Sequence, residues 1–295
     1  MGMSDHSVRR EPRRSGTCDV SWYTTRVSGP GADVPVRILR PTGPRNGWTV
    51  WAHGGSWHHG SALTWHHACA DLAVVAGTTV VSVDYRLAPE HPHPAALEDF
   101  LTAVAWAQEQ AASEATEVAV GGDSAGGTIA ACAALVLRDR GGHLAAQVLA
   151  YPPIDPQCRA DSYHRDPCAF PSAGALTAAW RGYRGERPDD SGGLYSTPMA
   201  AADLTGAAPA IIAVGELDPV IDDVRDYRSR LQAAGVPVRY LELPRTAHGA
   251  FLEPVPARLT RRGVPSLRSC LGRALAQAFA KQTGVTLPPR QRTFS

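Results

Sequence analysis

Short apolar runs alternate with amphipathic stretches along most of the chain. Val20 to Val27 and Val34 to Leu39 flank Ser28-Gly29-Pro30-Gly31, which predicts two antiparallel strands. Trp48 to Ala52 predicts a third strand, ending at His53-Gly54-Gly55-Ser56-Trp57. A helix is then expected from about Ser61 to Val75, a strand over Thr79 to Val83, a proline-laden turn from Asp84 to Pro94, and a helix over Ala95 to Ala112. Val118 and Val120 mark a strand, Thr128 to Leu137 a helix, and Val148 to Tyr151 a strand closed by Pro152-Pro153. The pattern resumes with a strand over Ala210 to Val214, a helix from about Val220 to Ala234, a strand over Val236 to Leu243 and a last helix over Ser266 to Lys281. Strands and helices in this alternation predict an α/β protein with a mainly parallel sheet covered on both faces.

Between these stretches the alternation lapses. Asp155 to about Ala207 is polar and interrupted by Pro and Gly, with one helix-like piece near Ala173 to Tyr183. A break this long inside an α/β pattern predicts an inserted cap, over about 156–207. The expected organisation is a basic leader over 1–18 with Arg9, Arg10, Arg13 and Arg14, one domain over 19–286, and a flexible tail over 287–295.

Composition narrows the classes of function. With 29 basic residues against 28 acidic ones and a net charge of +1, the chain carries no electrostatic footprint for nucleic acid. A hydrophobic fraction of 44% over 295 residues supports a large core. The basic leader is followed by Asp19, Ser21, Thr24 and Thr25 rather than an apolar segment, and no window approaches the roughly 18 apolar residues of a membrane span. A cytoplasmic protein without a membrane span is the expectation. The six cysteines contain no C-x-x-C pair, so no zinc site or disulfide framework is expected.

The candidate chemistry centres on Gly122-Asp123-Ser124-Ala125-Gly126. A strand, this turn and a helix form the pattern of a nucleophile elbow, in which strained backbone lifts a serine hydroxyl above the sheet and the glycines avoid collisions. Such a serine needs a base, and the base needs an orienting acid. Of the later histidines, His143 lies in a Gly-rich turn, His164 in the expected cap, and His248 directly after the strand ending at Leu243. His248 is the expected base. Asp218, at the turn after Val214, is the expected acid, with a helix cap as its alternative role and Glu216 as its serious rival; Asp222 and Asp223 belong to the following helix. Donors for an oxyanion are expected from the backbone of Gly55, Ser56 and Ala125.

Together, His53 to Trp57, Asp84 to Pro92, Gly122 to Gly127, Gly215 to Pro219 and His248-Gly249 resemble the hormone-sensitive-lipase-like esterases of the α/β-hydrolase superfamily. The resemblance implies an α/β-hydrolase fold with a small cap and a serine carboxylic-ester hydrolase. It further implies Ser124, His248 and Asp218 as catalytic triad, an acyl-enzyme intermediate, a small-molecule ester substrate and no cofactor or metal. It implies that His53 and Gly54 support the oxyanion loop and that the Asp84 to Pro92 segment is a rigid structural loop; Trp57 and Asp123 are expected near the substrate pocket. Two departures stand out: Ser56 replaces the third glycine of the family's H-G-G-G, and Ala250 separates His248-Gly249 from Phe251. The run H-G-G-x-W also occurs in kynurenine-formamidase-like hydrolases, which keeps formamide hydrolysis open, beside metabolite deacetylation and acyl transfer. A non-catalytic ligand-binding protein of the same fold is the alternative of another class. His58, His59, His66 and His67 cluster near His53 but match no zinc spacing.

Overall fold

The computed structural model describes residues 9–11, 20–29, 33–43, 45–166, 168–185, 192–253 and 265–283. The remainder of the expected leader and the expected tail lie outside the described residues. The strands are β1 Arg9–Glu11, β2 Val20–Ser28, β3 Asp33–Pro41, β4 Gly47–Ala52, β5 Thr79–Val83, β6 Glu117–Asp123, β7 Gln147–Ala150, β8 Ala210–Gly215 and β9 Val238–Leu243. They form a nine-stranded sheet in the order β1-β2-β3-β5-β4-β6-β7-β8-β9. The pairings of β1 with β2, β2 with β3 and β3 with β5 are antiparallel, and all pairings from β5 through β4 to β9 are parallel. β4, β5, β6, β7 and β8 are almost wholly buried, which is why they read as continuous apolar runs rather than alternating ones.

The helices are α1 His66–Ala76, α2 Ala95–Ser113, α3 Ala125–Asp139, α4 Ala173–Arg184, α5 Ile221–Ala233 and α6 Leu267–Thr283. α1 packs on α6 and α2 on α3, giving a helical layer on each side of the sheet. α1 begins later than the expected Ser61 because Ser61 to Trp65 folds as a turn, in which the Ser61 and Thr64 hydroxyls bond to each other and Asp84 accepts from the N–H of Ala62. β9 begins at Val238, after Pro237, whose ring nitrogen has no proton for the ladder. α3 begins at Ala125, three residues before the expected Thr128, so Gly126 and Gly127 lie inside the helix. β1 is a strand that the polar run Arg9-Arg10-Glu11 did not announce.

Within the expected cap, two 3-10 turns at Asp161–His164 and Pro198–Ala200 flank α4. α4 buries Leu176, Ala179, Trp180 and Tyr183. The first 3-10 turn is fastened to α5: Tyr163 donates its hydroxyl to Asp223, and the Ser162 hydroxyl donates to the Pro219 carbonyl. Among the described residues no helix is long and apolar enough to cross a membrane.

Candidate active site

The chain reverses from β6 into α3 at Ser124, whose φ of 50° lies in the left-handed region. Its N–H donates to the Ala150 carbonyl at 2.8 Å, which fixes the strained residue over β7. The turn is possible only because its flanks lack side chains. A Cβ on Gly122 would strike the Gly126 backbone, and one on Gly126 would strike the Ala52 and His53 carbonyls. The elbow is thereby pressed against the end of β4 and the loop that follows it.

The His248 loop reaches over this elbow from the end of β9. The Ser124 Oγ lies 2.8 Å from His248 Nε2, and His248 Nδ1 lies 2.9 Å from both Oδ1 and Oδ2 of Asp218. The Asp218 and His248 side chains are almost entirely buried. Asp218 Oδ1 also accepts from the Val220 N–H at 3.0 Å, so capping and imidazole contact coexist on one carboxylate. Glu216 instead accepts from the Arg245 N–H at 2.9 Å on the exposed side of the loop. Asp222 pairs with Arg165 and Arg225, and Asp223 binds the start of the cap through the N–H groups of Ile154 and Asp155. His143 lies near Glu117 at the far end of β6, and His164 sits in the first 3-10 turn.

The loop after β4 is held by buried polar contacts. His53 stacks on Tyr85 with ring centroids 4.3 Å apart, its Nδ1 lies 2.7 Å from the Gly54 carbonyl, and the Tyr85 hydroxyl donates to the His53 carbonyl at 2.7 Å. Burial pushes the His53 imidazole below its ordinary value, which favours the neutral ring. The Asp84 to Pro92 segment, expected to be a rigid loop, also donates from the Ala88 N–H to the Trp57 carbonyl at 3.0 Å. Gly55, Ser56 and Trp57 have φ values of 112°, 53° and 62°. A side chain at Gly55 would strike the His59 carbonyl, so glycine is required there, whereas Ser56 and Trp57 take the left-handed region at a steric cost. Among the described residues no acceptor is bonded to the N–H of Gly55 or Ser56.

Two residues expected near the substrate pocket lie inside the protein. Trp57 is 0% exposed and packs against Trp180 and Tyr183 of α4, with a backbone φ of 62°. Asp123 is turned inward at the end of β6, where Oδ1 accepts from Trp51 Nε1 at 3.1 Å and Trp65 Nε1 at 2.8 Å, and the Gly54 backbone donates as well. Burial, the largest influence, pushes the Asp123 carboxyl up to about 7, partly offset by these donors. Asp123 therefore ties the elbow to the loop after β4 from below.

Other supports have no motif in the sequence. Tyr151, directly after β7, places its ring 4.7 Å from that of His248, and its hydroxyl accepts from the Phe251 N–H at 2.9 Å. Arg268 of α6 donates to the Phe251 carbonyl and to Asp71. The Phe251 ring stacks on Trp51 at 4.5 Å. Both main-chain polar groups and the ring of Phe251 are thus anchored, three residues after His248. Of the histidine cluster, His66 contacts Arg37 and His58 lies against Gly182 of α4. Among the described residues no group of three or more His, Cys, Asp or Glu side chains is placed to hold a metal ion.

Comparison with known proteins agrees with this architecture. The chain is 37% identical over 252 residues to a carboxylesterase of Mycobacterium tuberculosis, NlhH, covering 81% of this chain and 79% of that one. The crystal structure of the esterase LipW from Mycobacterium marinum matches with a TM-score of 0.77 at 35% identity, over 88% of this chain and 82% of that one. An esterase of the bacterial hormone-sensitive lipase family matches with a TM-score of 0.73 at 26% identity, over 95% of this chain and 87% of that one. The resemblance carried by the sequence motifs is borne out by these relatives. A family model described as alpha/beta hydrolase fold spans residues 49–252, from β4 through the His248 loop, and the chain belongs to that family.

Proposed function

We propose that this protein hydrolyses carboxylic esters of small molecules, with Ser124 as nucleophile, His248 as general base and acid, and Asp218 as the group that orients and stabilises the imidazole. The observation that carries the reading is the continuous relay from the Ser124 hydroxyl through the imidazole to the Asp218 carboxylate, at 2.8 and 2.9 Å. Asp218 accepting from Nδ1–H leaves Nε2 with a free lone pair toward the serine, so the proton can leave Oγ as it attacks the carbonyl. The N–H groups of Gly55, Ser56 and Ala125 receive the negative oxygen of the tetrahedral intermediate; each such donor supplies about 3 kcal/mol. What supports their role is the strained loop at residues 55 and 56, and the place of Ala125 in the first turn of α3, where backbone N–H groups have no partner within the helix. Collapse of the intermediate sends the His248 proton to the departing alkoxide and leaves an acyl-Ser124. Water, deprotonated by the same imidazole, then releases the acid.

Relatives named for ester hydrolysis support the substrate class. The test is covalent labelling of the purified chain by a fluorophosphonate, beside turnover of p-nitrophenyl acetate and of N-formylkynurenine. Ester turnover and labelling are expected, both lost in Ser124→Ala. An unlabelled wild-type chain would indicate a ligand-binding relative, and faster cleavage of the formamide would replace the ester by an amide.

A further inference from the structure

The proposed relay determines what lies beside His248. When the tetrahedral intermediate breaks down, Nε2 hands its proton to the ester's alkoxide oxygen, so that oxygen must lie within hydrogen-bond reach of Nε2. The carbon skeleton attached to it then rests against the surface that flanks the imidazole. On the cap side that surface is apolar. Phe170, from the cap segment before α4, stands edge-on to the imidazole with ring centroids 6.0 Å apart, and it is 73% exposed. Leu217, 58% exposed, adjoins Asp218, and its N–H donates to the Thr246 carbonyl at 3.0 Å. Leu252, 40% exposed, donates its N–H to the Gly249 carbonyl at 3.0 Å. Of the four large hydrophobic side chains exposed among the described residues, Leu252 thus belongs to the loop that carries His248, Leu217 is bonded to it through its backbone, and Phe170 meets its imidazole. The fourth, Leu63, lies in the turn before α1. Two nearby carboxylates are engaged elsewhere: Glu216 holds the Arg245 N–H, and Asp222 is paired with Arg165 and Arg225. An exposed apolar rim at a site is a surface for an apolar ligand.

We infer that Phe170, with Leu217 and Leu252, forms the subsite for the alcohol portion of the substrate, and that the substrates are esters of bulky apolar alcohols, alicyclic or aromatic. This rests on the proposed ester hydrolysis and deepens it. The occupant follows from the chemistry of proton return: the Phe170 ring lies beside the imidazole that protonates the leaving oxygen, so it meets the alcohol side rather than the acyl side. Polar alcohols such as sugars gain nothing there, because none of the three side chains offers a hydrogen bond.

The experiment uses the full chain and two ester series. Acetates of methyl, cyclohexylmethyl and benzyl alcohol vary the alcohol at similar leaving-group acidity, and methyl esters of acetic, butyric and hexanoic acid vary the acyl group. The quantity read is kcat/KM, which covers the acylation step in which the alcohol departs. In the wild type kcat/KM rises from methyl to benzyl acetate. Phe170→Ala lowers the benzyl-to-methyl ratio about tenfold, the scale on which a hydrophobic subsite discriminates. Phe170→Trp retains the ratio, and Leu252→Ala lowers it less than Phe170→Ala does. A Phe170→Ala variant that slows every acetate by one factor, or that changes the acyl preference instead, overturns the alcohol subsite while ester hydrolysis stands. A wild-type chain that hydrolyses none of the esters and takes no fluorophosphonate removes both readings together.

Discussion

Two phenylalanines, one in contact with His248 and one three residues after it, are treated by the protein in opposite ways. Phe251 is 0% exposed, stacked on Trp51, with its N–H and carbonyl held by Tyr151 and Arg268. Phe170, on the cap side, is 73% exposed and meets the imidazole edge-on. The same side chain thus serves as foundation on one side and as open surface on the other. The sheet side of the site is rigid because its parts interlock: the elbow glycines exclude side chains, Asp123 joins two indoles and a backbone N–H, and Tyr85 holds the loop after β4. The cap side is attached through buried anchors such as Trp180 and Tyr163 but presents unsatisfied apolar surface at the mouth. On the proposed reading, reaction geometry belongs to the first region and choice of substrate to the second.

The contrast can be broken in order of expected effect. Asp218→Asn presents the wrong hydrogen-bonding partner to Nδ1 and should lower kcat by about 10⁴-fold, whereas Glu216→Gln should stay within about twofold. Steady-state kinetics on one chromogenic ester separates them, and equal losses would place the acid elsewhere. Next, Phe251→Ala should destabilise the fold by about 3–5 kcal/mol through lost stacking and a cavity, while Phe170→Ala should change stability by no more than about 0.5 kcal/mol. Urea unfolding of the two variants measures this, and similar costs would erase the distinction between foundation and rim.

A further effect concerns pH. Because burial holds the folded-state value of Asp123 at about 7, above the ordinary carboxylate range, the fold binds a proton that the unfolded chain has already released. Its contribution to stability is therefore greatest at acidic pH and declines as pH rises from the ordinary carboxylate range to about 7. Asp123→Asn should flatten that part of the profile, leaving the decline owed to Asp223, which burial pushes up to about 6. Denaturant midpoints recorded from about pH 4.5 to pH 8 test the change in slope. A slope unaltered by the substitution would mean that Asp123 titrates alike in both states.

Much of this arrangement was legible because strands β4 to β8 are short and mostly apolar, β9 alternates, and helices of ordinary length separate most of them. Ser124, Asp218 and His248 each follow a recognisable strand, and that position alone brings them to one end of a parallel sheet. α3 starts earlier than expected because Gly126 and Gly127 are poor helix formers; Gly126 occurs there because the end of β4 comes too close for any side chain, and Gly127 lies close to Pro152. The direction of Asp123 and the burial of Trp57 were not legible, since both depend on the strained backbone at Ser124 and at residues 55–57, which a pattern of apolar positions does not encode. Arg268 could not be found by motif at all. Its partners, Phe251 and Asp71, lie 17 and 197 residues away, and only the packing of α6 on α1 unites them.

That last contact has a consequence for the growing polypeptide. A nascent chain extended only to Phe251 already contains the hydroxyl, imidazole and carboxylate of the proposed relay, yet it lacks the guanidinium that grips the Phe251 carbonyl from α6. On the proposed reading the site is therefore completed only when α6 has docked, so a chain that stops before Arg268 would carry the proposed nucleophile with its base less firmly seated.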